Sequence, residues 1–336
     1  MLATPALRVL RRAFPRAHVT VLARPWVADV FEANPDVDRL WVSEENRSVR
    51  RFREIAARMR GEGFDLGIAL PNSFGSALLL AAGGVRRRVG YSRDGRGWLL
   101  TDRVSVTPEI LRAHQVEYYL NLLRGVCEVD GQARELVVPG APDAAGRVRE
   151  ALADKGVAGV SASEGGAAGN GARPLVGLCP GATFGTAKRW LPERFAAVAD
   201  YAADKYRAQV VIVGSGGERE VGEEVARHAR TRVAVLSGLF PLRGVIALCS
   251  HLRLFVTNDS GLMHVAAARG VPIVAIFGST DWVATAPYDP RAIIVRRDTP
   301  CAPCLRRHCP PGREHACMKS VTVDDVIQAV DRQMGG

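Results

Sequence analysis

The clearest chemical motif in the sequence is a polar turn at residues 258–260, between an apolar strand and a helix. The strand pattern ends at Thr257, and the helix pattern begins at Gly261 and stops at Gly270. Free amides at a helix N-terminus bind anions, and the helix dipole adds roughly 0.3–1 kcal/mol per charge. A plain helix cap, with His264 satisfied in the core, explains the same spacing equally well. The candidate anion-binding amides are those of Ser260, Gly261, Leu262 and Met263; in the alternative, Asp259 or Ser260 is the cap.

A second polar loop, CPGATFGTAKRW at residues 179–190, also follows an apolar strand. Thr183 and Thr186 offer hydroxyl groups and Lys188 offers a cation, a donor set that suits a diphosphate held without metal. The loop is not a Walker loop, because it lacks the Gly-Lys-Ser/Thr order. A solvated loop is the alternative, but two anion-suited loops at strand ends in one domain are stronger evidence than one.

Alternating apolar runs and amphipathic segments position these loops, a pattern typical of parallel α/β units. Strands are predicted at residues 18–23, 39–42, 64–70 and 87–91, and then at 175–179, 210–213, 233–236, 254–257, 273–277 and 293–295. A last helix is predicted to start at Thr322, capped together with Asp325. The fold class is therefore α/β with two Rossmann-like domains at residues 1–155 and 174–336. Residues 156–173, rich in Gly, Ala and Ser, form a flexible linker or an insertion beside it.

The chain opens with a helix pattern at residues 3–13 that no strand precedes. The first strand of a doubly wound sheet is usually central, and its C-terminal loop faces the ligand. We therefore expect that residues upstream of Met1 are missing; the alternative is a fold that begins with a helix.

Composition narrows the function classes. The chain has 336 residues, 47% hydrophobic and 24% charged, with a net charge of +10, which is typical of a globular protein of two domains. The basic residues form no tail or block, so nucleic acid is a poor candidate partner. No apolar run is long enough to span a bilayer, and no secretory signal is evident, so we expect a cytoplasmic protein.

Four cysteines cluster near the C-terminus in the spacing C-x2-C-x4-C-x7-C. They are Cys301, Cys304, Cys309 and Cys317. In a cytoplasmic protein this pattern favours a metal over a disulfide, and four thiolates suit a structural zinc. The spacing is not that of a standard zinc ribbon, His308 and His315 are alternative ligands, and four free thiols are the simpler interpretation.

Three segments together resemble one family: PGATFGTAKRW (180–190), TNDSGLMHVAAA (257–268) and PNSFGSALLL (71–80). They resemble the ADP-heptose:lipopolysaccharide heptosyltransferases of glycosyltransferase family 9, most closely the heptosyltransferase II branch. The resemblance implies the GT-B fold and an inverting transfer of heptose, with no cofactor for catalysis. It also implies ADP-heptose as donor and a phosphorylated lipid A–Kdo–heptose acceptor at the inner leaflet, where the protein would be peripheral.

The same resemblance assigns roles to residues. Thr183 and Lys188 match positions that hold the ADP diphosphate, and Lys188 would stabilise the leaving group. Residues 259–264 match the loop that holds diphosphate and heptose. Glu218 matches the ribose-binding carboxylate, with Glu220 as an equally plausible candidate.

On the acceptor side, the resemblance and the strand ends point to the N-terminal domain. The acceptor candidates are Asn72, Ser73, Arg88 and Arg93, together with Arg86 and Arg87; a solvated arginine surface is the alternative. The family's catalytic base is an aspartate after the first strand, and no aspartate precedes Ala3. The base is therefore expected upstream of Met1, with Asp94 as an unsupported substitute.

Two other functions stay open. One is a nucleotide-sugar-binding homologue that lacks catalytic activity. The other, more remote, is a dinucleotide-dependent oxidoreductase. Against the latter, no GxGxxG follows a strand, and the glycines at 214, 216 and 217 have the wrong spacing.

Overall fold

The computed structural model describes residues 1–43, 48–129, 131, 134–157 and 173–335. The chain divides into two compact units, Leu2–Val137 and Val138–Gly336. The sequence instead predicts a first domain that extends to residue 155. The difference arises because the helix Ala145–Asp154 packs on the helix Leu242–Cys249 of the second unit. Of the predicted linker, residues 158–172 lie outside the described residues.

The N-terminal unit contains six α-helices and five strands in its described residues. The helices are α1 (Thr4–Ala13), α2 (Pro25–Ala28), α3 (Val49–Glu62), α4 (Phe74–Ala82), α5 (Pro108–Arg112) and α6 (Gln115–Leu123); the strands are β1 (Thr20–Ala23), β2 (Arg39–Val42), β3 (Leu66–Ile68), β4 (Arg87–Tyr91) and β5 (Asp102–Val104). All strand pairs are parallel, and they form two separate sheets, β1–β2 and β3–β4–β5. The four strands predicted in this half are confirmed.

Helix α3 shows why the local sequence folds as it does. Its apolar positions Ala56 and Met59 are buried, and the chain leaves the helix at Gly63 with a φ of 67°. Glycine adopts that left-handed conformation without the steric penalty that a side chain brings. Met59 packs in one hydrophobic core with Trp41 of β2 and Leu80 of α4.

A fully buried arginine, Arg96, ties the loops at the carboxyl edge of the β3–β4–β5 sheet. Its Nε donates to the carbonyl of Tyr91 at 2.9 Å, and its Nη2 donates to Asn72 Oδ1 at 3.1 Å. Its Nη1 donates to the carbonyls of Pro71 and Ser73. Burial lowers the pKa of this guanidinium below its ordinary value. One buried side chain therefore fixes the conformation of the turn at residues 71–73.

The C-terminal unit contains eight α-helices and six strands in its described residues. The helices are α7 (Ala145–Asp154), α8 (Pro192–Tyr206), α9 (Arg219–His228), α10 (Leu242–Cys249), α11 (Gly261–Ala268), α12 (Trp282–Thr285), α13 (Ala316–Lys319) and α14 (Val323–Met334); the strands are β6 (Leu175–Cys179), β7 (Gln209–Ile212), β8 (Val233–Val235), β9 (Leu252–Asn258), β10 (Ile273–Ile276) and β11 (Ile293–Val295). All six predicted strands of this half are confirmed.

One parallel sheet with the order β11-β10-β9-β6-β7-β8 organises the C-terminal unit. This is the doubly wound order in which the chain reverses direction across the sheet between β6 and β9, the place where such folds bind ligands. The core includes Val176, Val256 and Val330, each fully buried. The predicted cap of α14 is confirmed, since Thr322 Oγ1 accepts from Asp325 N at 3.2 Å and the Asp325 carboxylate accepts from Thr322 N at 2.9 Å.

Within the described parts of the chain, no helix combines the length and the apolar character needed to cross a membrane.

Candidate functional site

Two loops meet at the carboxyl edge of the C-terminal sheet because β6 and β9 are neighbours. Cys179 pairs with Thr257 in the parallel register, so the residues that follow both strands leave the sheet side by side. Asn258, which is fully buried, joins the two loops. Its Nδ2 donates to the carbonyl of Pro180 at 2.7 Å, and its Oδ1 accepts from Trp190 N at 3.1 Å. The two polar loops selected from the sequence are thus parts of one site.

An ion pair crosses between the loops. Lys188 Nζ lies 2.6 Å from Asp259 Oδ2, with the two side chains 13% and 6% exposed. The ammonium also lies 4.8 Å from the centroid of the Phe184 ring. The sequence selects both charged residues, but it does not reveal that they pair. Asp259 therefore orients the lysine ammonium beside the start of α11.

The start of α11 supports the capping interpretation for one residue. Ser260 Oγ accepts from Met263 N at 3.3 Å and lies 3.1 Å from Thr257 Oγ1. This hydroxyl therefore caps the N-terminus of α11. The Met263 side chain is fully buried in the core, and His264 is 9% exposed. Beside Gly261 the space is open, because a Cβ atom there would meet no heavy atom within 4 Å. A ligand can therefore approach the backbone of the helix start closely.

Glu218 lies in the same site, next to the loop that follows β6. It is buried, and its Oε2 accepts from the backbone N and the Oγ of Ser215 at 2.8 Å each. Its Oε1 accepts a long hydrogen bond of 3.4 Å from Thr183 Oγ1. A Cβ atom at Gly181 would overlap this carboxylate, so a larger residue there would displace Glu218. Glu220, the alternative candidate, is exposed on α9. The geometry places Glu218 against Thr183.

The acceptor candidates lie in the N-terminal unit, and most have structural partners. Asn72 Nδ2 donates to the Tyr118 hydroxyl at 2.8 Å, and Ser73 Oγ caps α4 by accepting from Ser76 N at 3.3 Å. The remaining candidates form these contacts: Arg88 donates to the carbonyls of Leu99 and Val85, Arg93 pairs with Asp94 at 3.4 Å, Arg86 with Asp65 at 3.6 Å and Arg87 with Asp102 at 2.7 Å. Their role toward an acceptor stays a prediction.

The four clustered cysteines are free thiols in the C-terminal unit. Cys317 is buried, and its thiol has a pKa raised to about 11. The main cause is burial, and the neighbouring thiols of Cys301, Cys304 and Cys309 add to it. Cys309 Sγ accepts from the backbone N of His315 at 3.3 Å. Across the described residues, however, no three His, Cys, Asp or Glu side chains converge as metal ligands. The thiols as placed therefore do not fit a tetrahedral zinc site.

Two contacts of this site cannot be predicted from the sequence. Arg307 Nε donates to the carbonyl of Phe184 at 2.7 Å, although 123 positions separate the two residues. His308 Nδ1 lies 3.1 Å from Thr186 Oγ1. Neither contact belongs to a local motif, so sequence periodicity cannot find them. Asn258, by contrast, lies inside the polar turn at residues 258–260, but its residue type does not reveal that it joins the two loops.

Comparison with known proteins identifies the family. The model of glycosyltransferase family 9 (heptosyltransferase) matches residues 52–315. The chain belongs to glycosyltransferase family 9. The resemblance of the three sequence segments is thereby confirmed.

Family 9 relatives match over most of their length. Lipooligosaccharide heptosyltransferase 2 of Haemophilus ducreyi is 28% identical over 339 residues, covering 96% of this chain and 92% of the relative. Lipopolysaccharide heptosyltransferase 2 of Escherichia coli (strain K12) is 29% identical, covering 88% and 84%. The solved structure of E. coli ADP-heptose lps heptosyltransferase II has a TM-score of 0.80 at 26% identity and covers 99% of this chain and 94% of that one. The predicted α/β fold class, with the parallel sheets of the GT-B heptosyltransferases, is confirmed.

We predict that the Lys188–Asp259 pair contributes to the stability of the C-terminal unit. Lys188→Met leaves a buried carboxylate without its partner and should lower the free energy of unfolding by about 3 kcal/mol, the low end for a broken buried pair. Adding Asp259→Asn should recover at least about 1 kcal/mol, because the two groups are directly coupled. Urea unfolding of the four proteins of this cycle measures both values.

The control for this cycle is the exposed pair Lys319–Glu314, whose charged atoms are 4.0 Å apart in the same unit. Lys319→Met should change the free energy of unfolding by less than about 0.5 kcal/mol. Strictly additive effects at Lys188 and Asp259 would show that the ion pair contributes nothing to stability.

Proposed function

We propose that this chain transfers heptose from ADP-heptose to the inner core of lipopolysaccharide, as the second heptosyl transfer. The observation that carries the proposal is the Lys188–Asp259 pair beside the open start of α11, at the point where the sheet order reverses. The heptosyltransferase 2 relatives support the choice of donor and of transfer. The acceptor is a glycolipid, so the protein would work on the cytoplasmic surface of the inner membrane.

The donor fits the geometry of the two loops. Thr186, Lys188 and the backbone amides at the start of α11 would hold the diphosphate, as ammonium, hydroxyl and amide donors together offset its charge. Glu218, held beside Thr183, would bind the ribose hydroxyls. Asp259 and His264 would contact the heptose, and the neighbouring Leu262 and Met263 shape the helix start.

The reaction itself is a displacement at the anomeric carbon. The acceptor hydroxyl forms the new bond as the bond to the ADP oxygen breaks, which inverts the anomeric configuration. Lys188 and the helix start stabilise the negative charge that develops on the departing diphosphate, which is the electrostatic contribution expected from donors fixed before the reaction. The acceptor hydroxyl must also lose its proton to a base.

We infer that a carboxylate supplies this base. The family resemblance places such an aspartate in the loop after the first strand of the N-terminal domain, and the first strand of a doubly wound domain is usually central. Asp94, the alternative candidate, is paired with Arg93.

A transferase assay tests the proposal with purified chains. The protein is incubated with ADP-heptose and either an unheptosylated or a monoheptosylated core acceptor. We expect turnover on the monoheptosylated acceptor. Lys188→Ala should lower kcat by roughly 10²–10³, as for loss of one oxyanion donor.

Lys319→Ala, which removes an exposed lysine from the same unit, serves as the control and should leave kcat unchanged. ADP-heptose binding without turnover would favour an inactive nucleotide-sugar-binding homologue. Failure to bind ADP-heptose would refute the proposal. Stabilisation of the protein by NAD would favour the oxidoreductase.

The structural zinc is proposed separately and has no part in the reaction. The four thiols neighbour one another but do not converge as placed, so zinc binding would require them to rearrange. Metal analysis of protein purified without nickel should find stoichiometric zinc that is lost when Cys301 and Cys304 are replaced by Ser. Replacement of Cys127, far from the cluster in sequence, is the control. Metal-free wild-type protein with full activity would refute the zinc site.

A further inference from the structure

The cysteine-rich region contacts the loop assigned to the diphosphate. We call residues 305–308, between Cys304 and Cys309, the bridging segment, and residues 183–188 the diphosphate loop. The carbonyl of Arg307 accepts from Ala187 N at 3.0 Å, and Arg307 Nε donates to the carbonyl of Phe184 at 2.7 Å. One residue of the bridging segment therefore holds both ends of the diphosphate loop through its backbone and its side chain.

The bridging segment and the diphosphate loop approach so closely at Gly185 that only glycine fits there. A side chain at Gly185 would overlap the carbonyl of Arg307. The φ of Gly185 is 161°, which is extended backbone, so the requirement for glycine comes from this contact and not from the dihedral angle. Thr186 Oγ1, next in the loop, lies 3.1 Å from His308 Nδ1.

The two cations of this region share one aromatic ring. The Arg307 guanidinium lies 5.4 Å from the centroid of the Phe184 ring, and the Lys188 ammonium lies 4.8 Å from the same centroid. Cations are attracted to the face of an aromatic ring within about 6 Å. Phe184 thus contacts both Lys188 and Arg307 through the same ring.

The other end of the bridging segment is fixed to the central sheet. Leu305 N donates to the carbonyl of Ser279 at 2.8 Å. Ser279 is 1% exposed and lies just beyond the end of β10, the strand next to β9. The bridging segment therefore connects the end of β10 to the diphosphate loop after β6.

We propose that Arg307 is a positioning residue for the diphosphate of the donor. It holds Thr186 and Lys188 in the loop conformation that binds the diphosphate, which makes the cysteine-rich region part of the donor site. This inference rests on the proposed function. Without the tie the loop populates other conformations, and affinity for a diphosphate falls in proportion to the fraction of binding-competent molecules.

Calorimetric titration with ADP and with adenosine tests this role. Arg307→Ala should weaken ADP binding about tenfold or more, the loss expected when the competent loop falls to about a tenth of the molecules. Adenosine, which lacks the diphosphate, should bind with affinity within about twofold of wild type. Arg306→Ala is the matched control: it removes the same charge from the adjacent exposed position, and its ADP affinity should not change.

Gly185→Ala provides an independent variant, since it displaces the Arg307 carbonyl and keeps every charged side chain. It should show the same loss of affinity for ADP with little change in affinity for adenosine. Thermal melting of each variant checks that it is folded. If wild type binds no ADP, the proposed function itself fails. If wild type binds ADP but Arg307→Ala and Gly185→Ala bind it equally well, or lose adenosine to the same extent, the positioning role is refuted.

Discussion

The parallel pairing of β6 with β9 is the constraint on which the candidate site depends. It places the loops after two strands at one edge of the sheet, although Lys188 and Asp259 are 71 positions apart. Asn258 then joins the two loops through hydrogen bonds of its side-chain oxygen and nitrogen. The ion pair and the helix start derive their positions from this register, and the pairing of β6 with β7 brings the buried Glu218 beside them. The location of a ligand site at this edge follows from the strand order before any single residue is considered.

Several successive contacts hold the candidate site together. The sheet positions the loops, Asn258 joins them, and the bridging segment holds the diphosphate loop from the outside. This explains how a loop whose Thr183 and Thr186 side chains are exposed keeps a defined conformation. The N-terminal unit uses a comparable device, because the buried Arg96 fixes the turn at residues 71–73 with hydrogen bonds to three carbonyls and one amide.

The sequence predicts the elements well and the long-range contacts poorly. All ten predicted strands form, because apolar runs bounded by turn residues are local signals. Lys188 and Asp259 are selected by type and by position after a strand, yet their pairing depends on sheet order. Arg307 has no local signal, since its partners lie far away in the chain. The boundary at Val137 is missed for the same reason. Helix α7 packs on α10, and Asp143, just before α7, forms an ion pair with Arg243, so both belong to the second unit.

Hydrogen–deuterium exchange with and without ADP tests most directly whether the paired loops hold the nucleotide. ADP should slow the exchange of backbone amides at residues 183–188, 260–264 and 305–308, and should leave β1, β2 and α3 of the N-terminal unit unchanged. These segments come from three distant parts of the sequence, so their joint protection would identify the site described. Saturating ADP without protection of residues 183–188 and 260–264, or with protection confined to other segments, would contradict it.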